Sequence, residues 1–191
     1  LVRNLYTAIK SISKNVWIVD IELKSKGKIG AGENFGLLPF EVGLSFHPLY
    51  NIPFIPASTL KGAIRHAYSN LYDDVSEVFG SRSSASLIEF TDAYPIDGDR
   101  PLLYPDVLTP HYPNADNELQ VNPNPVVHLT IKPGTIFRFF IFTKKDVDRI
   151  RKQKVIAALL YATARGIGAM TSYGYSIFTV KQIREERGGN V

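Results

Sequence analysis

Residues 127–166 read VHLTIKPGTIFRFFIFTKKDVDRIRKQKVIAALLYATARG: two apolar runs around a Pro-Gly pair, then a charged stretch that turns apolar and ends on glycine. Val127, Leu129 and Ile131 alternate with His128, Thr130 and Lys132, the period of a strand with one buried face. Pro133-Gly134 supplies turn chemistry. Thr135 to Phe142 is apolar at nearly every position except Arg138, as a central strand covered on both faces should be. The two runs therefore predict a β-hairpin with His128 facing outwards. Thr143 and Asp146 make a capping-box-like start, so a helix is expected from about Lys145 to Ala164, closed by Gly166.

Working outward, Trp17, Val19, Ile21 and Leu23 alternate with Asp20, Glu22 and Lys24, which predicts a first strand from Asn15. The small and polar stretch from Lys26 to Gly36 reads as an exposed loop. After Pro56, the residues Leu60, Ala63, Ile64, Ala67 and Leu71 recur on one helical face, predicting a helix to about Tyr72 with Ser58 or Thr59 as N-cap. Residues 86–91 form a plausible short strand. Seven prolines between Asp92 and Pro125 argue against regular structure there. Tyr175 to Lys181 read as a last strand, and the charged tail beyond Arg184 is expected to fray. This order predicts an α+β, ferredoxin-like (RRM-like) domain spanning residues 1–191, with an irregular proline-rich insertion at about 92–125.

Composition narrows the chemistry. The 191 residues include no cysteine, which excludes a disulfide framework, a thiolate zinc site and a cysteine nucleophile. No apolar run approaches the roughly 20 residues needed to cross a bilayer, and no signal-peptide core opens the chain, so a soluble cytoplasmic protein is expected. The net charge of +4 is modest, but it is unevenly spread. Arg3, Lys10, Lys14, Lys24, Lys26 and Lys28 outnumber Asp20 and Glu22 at the start, and residues 144–154 carry six cations against Asp146 and Asp148. Residues 89–120 hold seven acids and the single base Arg100. Such segregation suits an anion on one side and a basic neighbour on another.

Two stretches carry recognition chemistry. In Ile55-Pro56-Ala57-Ser58-Thr59-Leu60-Lys61-Gly62-Ala63-Ile64-Arg65 a helix start offers unpaired amides and hydroxyls, and Lys61 and Arg65, four apart, share one face away from the apolar stripe. Gly62 leaves room for a backbone to come close. The stretch reads either as a phosphate track or as a well-capped helix with two solvated charges. In Gly166-Ile167-Gly168-Ala169-Met170-Thr171-Ser172-Tyr173-Gly174-Tyr175, glycines permit left-handed backbone and expose amides to phosphate, while Tyr173 and Tyr175 could stack on bases. A helix cap with a tight connection is the alternative. It is not a P-loop, because the loop leaves a helix and enters a strand.

Together these motifs resemble the RAMP superfamily of CRISPR-associated proteins, which combine an IPxSSLKGxxR-like helix start with a terminal glycine-rich loop. His47-Pro48-Leu49-Tyr50 ahead of Pro53-Phe54-Ile55-Pro56, then Val78-Phe79-Gly80, Phe90-Thr91-Asp92-Ala93, Asp106-Val107-Leu108-Thr109-Pro110-His111-Tyr112 and Asn124-Pro125-Val126-Val127 extend the likeness in consistent order over roughly residues 40–180. Within the superfamily they are similar to the sixth-subunit family of Cmr (type III-B) complexes. The resemblance implies a non-catalytic RNA-binding subunit with no cofactor, helping to hold guide RNA near its 3′ end and the target RNA duplex beside other RAMP and Cmr subunits. It implies RNA contacts from Ser58, Thr59, Lys61 and Arg65 beside the loop of Gly166, Gly168, Thr171, Ser172, Tyr173 and Gly174. A thumb-like insertion would bring in His111 and Tyr112. Many RAMP loops place Lys or Arg where this chain has Met170, so the loop would bind by backbone or pack against a neighbour.

The sequence also admits an enzymatic alternative. RNA cleavage without metal needs a general base, and His47 or His111, each in a loop beside proline and tyrosine, could serve with Lys61 stabilising phosphate charge. His66 lies on the first predicted helix. Asp92, Asp97, Asp99 and Asp106 occupy irregular sequence without diagnostic spacing, and neither an HExxH nor an EF-hand pattern suggests a metal. A purely protein-binding scaffold is the third reading.

Overall fold

The structure, a computed structural model, describes residues 1–30, 43–109 and 125–189. Its elements in chain order are α1 (Val2–Ile12), β1 (Asn15–Leu23), α2 (Ala57–Leu71), α3 (Val75–Phe79), β2 (Glu89–Phe90), β3 (Tyr94–Asp97), β4 (Leu103–Leu108), β5 (Val126–Ile131), β6 (Ile136–Thr143), α4 (Arg149–Arg165) and β7 (Phe178–Arg187). The main sheet runs β2-β6-β1-β7, with β3 continuing the β2 edge against β6, and its pairings are antiparallel. A separate two-stranded sheet pairs β4 with β5.

The apolar periodicities explain the layers. Trp17, Val19, Ile21 and Leu23 of β1 and Phe137, Phe139 and Ile141 of β6 meet Leu60, Ile64 and Ala67 of α2 and Val155, Leu159 and Ala162 of α4 in one core. On the opposite face α1 sets Ile9 on Val16, Ile18 and Phe140, with Val2, Leu5 and Tyr6 alongside. This second cover makes β6 apolar at nearly every position. Its one cation, Arg138, lies opposite Asp20 of β1 and binds it through two hydrogen bonds of 2.6 Å. A bidentate, largely buried pair of this kind fixes strand register as well as satisfying both charges.

Several sequence expectations are corrected. The predicted hairpin does not form: both edges of β6 are taken, by β1 on one side and β2 and β3 on the other, so β5 pairs with β4 instead. In that pairing His128 and Thr130 turn inward and His128 is fully buried, while Val127 is exposed. The stretch from Asp92 is not irregular throughout, since β3 and β4 lie within it. Pro95 and Pro105 are tolerated because, among the described residues, each strand is paired on one side only, and a missing donor costs little at an open edge. Ser58 and Thr59 do not cap α2, which already starts at Ala57 behind Pro56. α4 begins at Arg149 rather than about Lys145, capped by Asp148, whose Oδ1 accepts from the Arg151 amide at 2.9 Å. β7 reaches Arg187 rather than fraying, because its polar end is laddered along β1 as far as Asn15. Within the predicted loop 26–36, Gly27, Lys28 and Ile29 are buried. α1 was not anticipated at all. Residues 31–36 of that loop, and His111 and Tyr112, lie outside the described residues.

Candidate nucleic-acid interface

The start of α2 is held from outside the helix. The Ala57 amide donates to Asp92 Oδ1 at 2.7 Å, and Tyr94 Oη donates to the other carboxylate oxygen at 3.2 Å. Asp92, just beyond β2, thus acts as a remote cap, and the Ser58 and Thr59 side chains cap nothing. Ser58 is exposed and Thr59 half-buried. With Leu60 and Ile64 buried in the core, the 3.6-residue period turns Lys61 and Arg65 onto a common outer face. Both open on a hollow whose far wall is the turn after α3, including Arg82 and Ser84. Lys61 Nζ stands 3.7 Å from Glu89, a loose ion pair, and Arg65 is exposed.

The glycine-rich segment caps α4 and then folds onto the chain leaving β1. The Gly166 amide donates to Ala162 at 3.0 Å, closing the helix. At Gly168 φ is +132°, and a Cβ there would lie 2.6 Å from the Lys28 carbonyl oxygen. That same oxygen accepts from the Ala169 amide at 2.7 Å and the Ser176 hydroxyl at 2.8 Å. Most of the loop's amides are spent in this way: Ile167, Ala169, Tyr173, Gly174, Tyr175 and Ser176 all donate to backbone oxygens. The broad phosphate nest suggested by the glycines is therefore narrowed to the outer turn. There Thr171 is half-buried, Ser172 and Gly174 are exposed, and Tyr173 shows 71% of its surface, a free ring for stacking. Tyr175, by contrast, is buried and unavailable.

Behind the loop sits a polar knot that the sequence did not announce. Asp106 of β4 accepts from Lys26 Nζ and from Tyr175 Oη, each at 2.7 Å, and from the Val107 amide at 3.0 Å. Burial alone would raise its carboxyl, but the Lys26 and Tyr175 bonds hold it below the usual range. Burial pushes the Tyr175 phenol up to about 12, helped by the Asp106 charge. Lys28, wholly buried with its Nζ donating to the Leu129 carbonyl at 2.9 Å, is pushed down to about 8 by desolvation. Beside it, neither ring nitrogen of His128 has a partner of good hydrogen-bond geometry among the described residues, and burial followed by the Lys28 charge lowers its pKa, outweighing the opposing pull of the Leu129 backbone.

The residues weighed as catalytic are dispersed. His47 Nδ1 faces the amides of Leu49 and Tyr50 at 3.2 and 3.4 Å, an acceptor role that leaves the proton on Nε2. Its ring lies among Tyr50, Phe54 and Tyr94. His66 is exposed on α2 and His128 is buried. Asp92 and Asp106 are engaged as described, and Asp97 accepts from the Gly98 amide. The structure brings Lys61 and Arg65 together, and it keeps Thr171, Ser172 and Tyr173 together, but the glycine-rich loop lends no residue to the α2 hollow. Arg82, which does line it, stands in a serine-rich turn without periodicity. The glycine before that turn was its only mark in the sequence.

The RAMP superfamily sequence profile matches residues 20–179, from the middle of β1 to the start of β7. The chain belongs to the RAMP superfamily. Among curated RAMP relatives, it is 36% identical over 183 residues to the CRISPR system CMR subunit Cmr6 of Saccharolobus solfataricus. That alignment covers 94% of this chain and 63% of the relative. A chain in the cryo-EM structure of the type III-B Cmr-beta complex bound to cognate target RNA superposes with a TM-score of 0.87 at 35% identity, over 97% of this chain and 66% of that one. The crystal structure of Cmr6 from Pyrococcus furiosus matches with a TM-score of 0.56 at 20% identity, over 87% of this chain and 98% of that one, and shares the fold. The chain thus spans a little under two thirds of the length of the first two relatives.

Proposed function

We propose that this RAMP chain is a non-catalytic, RNA-binding structural subunit of a type III-B Cmr ribonucleoprotein. It helps to hold guide RNA near its 3′ end and the duplex with target RNA, beside other RAMP and Cmr subunits in the cytoplasm. The sheet order β2-β6-β1-β7 under α2 and α4 supports a ferredoxin-like core for that role. The observation that carries the reading is the outer face of α2, where Lys61 and Arg65 stand side by side over an open hollow in a chain similar to one taken from an RNA-bound Cmr complex. Contacts of this type go to phosphates and are indifferent to sequence, so guide pairing would supply specificity.

Absence of catalysis is supported by how the candidate groups are occupied. His47 presents its Nδ1 lone pair to the backbone, and Asp92 and Asp106 are tied into the fold. The test compares wild type with Lys61→Ala/Arg65→Ala on labelled single-stranded RNA, following binding and cleavage across a salt series. Binding should fall about tenfold or more in the variant and its log-log salt slope should flatten by about 1.4, two contacts at ~0.7 each, with RNA intact. Multiple-turnover cleavage by the wild type, abolished at His47 or His111, would establish a RAMP-fold endoribonuclease instead. Salt-insensitive association with Cmr subunits and no RNA binding would leave a scaffold.

A further inference from the structure

We propose that the turn of residues 80–86 is the second wall of a phosphate seat, with Arg82 as its third cation opposite Lys61 and Arg65. The proposal rests on the RNA-binding reading and adds to it a wall and a cation that neither motif contains.

The turn is built rather than incidental. Gly80 ends α3 at φ +80°, and a Cβ there would come within 2.8 Å of both the Ser84 carbonyl oxygen and the Ser86 amide nitrogen. No side chain fits without opening the turn. Its far end is tied back, since the Ser81 amide donates to the Ser84 carbonyl at 2.9 Å and the Leu87 amide to Val78 at 3.0 Å. The Ser86 hydroxyl donates to Ile88 and Val78. Inside this frame the amides of Arg82, Ser84, Ala85 and Ser86 have no hydrogen-bond acceptor among the described residues. Unspent amides in a turn that lines one hollow with three cations are the makings of an anion-binding concavity.

Charge agrees with this geometry. Lys61, Arg65 and Arg82 line the hollow against one carboxylate, Glu89, which touches only Lys61 and loosely. Neither guanidinium has a carboxylate partner among the described residues, so each fork is free for the two-oxygen face that a phosphate presents. The wall residues are serine, alanine and glycine, with Phe79 the only large apolar group. A partner docking through an aromatic or aliphatic anchor would find little apolar wall here. An RNA backbone requires charge and room for close approach, and this hollow supplies both.

The experiment measures full-chain binding to single-stranded RNA across a salt series for wild type, Arg82→Ala, Arg82→Lys, Lys61→Ala/Arg65→Ala and Arg184→Ala. Arg184 is exposed on β7, outside the hollow, and controls for net charge. Arg82→Ala should weaken binding about three- to tenfold and flatten the log-log salt slope by about 0.7, one phosphate contact. Arg82→Lys should recover the slope and part of the affinity, and Arg184→Ala should change neither. If Lys61→Ala/Arg65→Ala weakens binding while Arg82→Ala matches Arg184→Ala, the seat is wrong and the RNA-binding reading stands. If no variant differs from wild type, or wild type binds no RNA, both fall. Loss of a Cmr subunit with RNA affinity unchanged in Arg82→Ala would assign the turn to protein docking and overturn the proposal.

Discussion

Single positions decide whether the glycine-rich loop can lie where it does. Gly168 combines a φ of +132° with a Cβ position 2.6 Å from a backbone oxygen that cannot swing aside. Gly134 also has positive φ, +84°, but nothing lies within 4 Å of its Cβ position. Gly168→Ala should therefore destabilise by about 2–4 kcal/mol, strain and clash together, and Gly134→Ala by about 1 kcal/mol, read by denaturant titration. Equal costs would mean that the close approach to Lys28 carries no energy. His128 offers a residue-scale test in pH. Its folded pKa lies below the ordinary 6.5, so an unfolded chain takes up a proton that the native ring refuses. Its contribution to stability is present above about 6.5 and is lost as pH falls below it. His128→Phe, which keeps a ring against Tyr175, should lose less of its melting temperature between pH 7 and pH 5 than wild type does. Parallel losses would assign the acid sensitivity elsewhere.

Elements differ in how plainly the sequence showed them, and the differences have physical causes. β1, α2, β6 and α4 were legible because each carries enough apolar residues at its own period to declare a face. α1 carries a shorter signal in Val2, Leu5, Ile9 and Ile12, four positions at helical spacing over 11 residues. The end of β7 gave no signal, since Arg184 to Arg187 are polar and their order comes from the ladder with β1. The pairing of β5 was illegible in principle: alternation tells which side chains share a face, not which strand lies alongside. As for the site, Lys61 and Arg65 were readable from a spacing of four, whereas the partner that starts their helix was not. Asp92 lies 35 residues away in sequence, with its Oδ1 2.7 Å from the Ala57 amide. Asp92→Ala should cost about 1–3 kcal/mol, a lost charge-assisted bond at a helix start. Ser58→Ala and Thr59→Ala should each stay within about 0.5 kcal/mol, measured by thermal and chemical unfolding. A larger cost at Ser58 than at Asp92 would restore the hydroxyl as cap.

For the whole molecule, the question is whether the β4–β5 sheet and the glycine-rich loop behave as one body. Among the described residues no strand ladder joins that sheet to the main one. Besides the Gly27–Ile131 bridge, the Lys28 bond to Leu129, the packing of Ile131 and Leu103 on the core and the His128–Tyr175 ring contact, a polar link is Asp106, which gathers Lys26 from the β1 exit and Tyr175 from the loop. Lys26 is 46% exposed at its side chain, so its ion pair contributes at most about 1 kcal/mol. The buried Tyr175 hydroxyl, left without an acceptor, would cost about 1–3 kcal/mol. Asp106→Ala is therefore expected to destabilise by about 2–3 kcal/mol. Because the Asp106 carboxyl is held below its ordinary 3.8, that stability is present above 3.8 and lost as pH drops through the lower folded value, well below the His128 window. The decisive readout is native-state hydrogen exchange. If the knot joins the two parts, amides of β4, β5 and residues 171–176 should lose protection together in the variant while β1 and β6 keep theirs. Faster exchange confined to β4 and β5 would make the hairpin a separately opening unit, and the loop would then owe its shape to its own backbone bonds and those to Lys26 and Lys28.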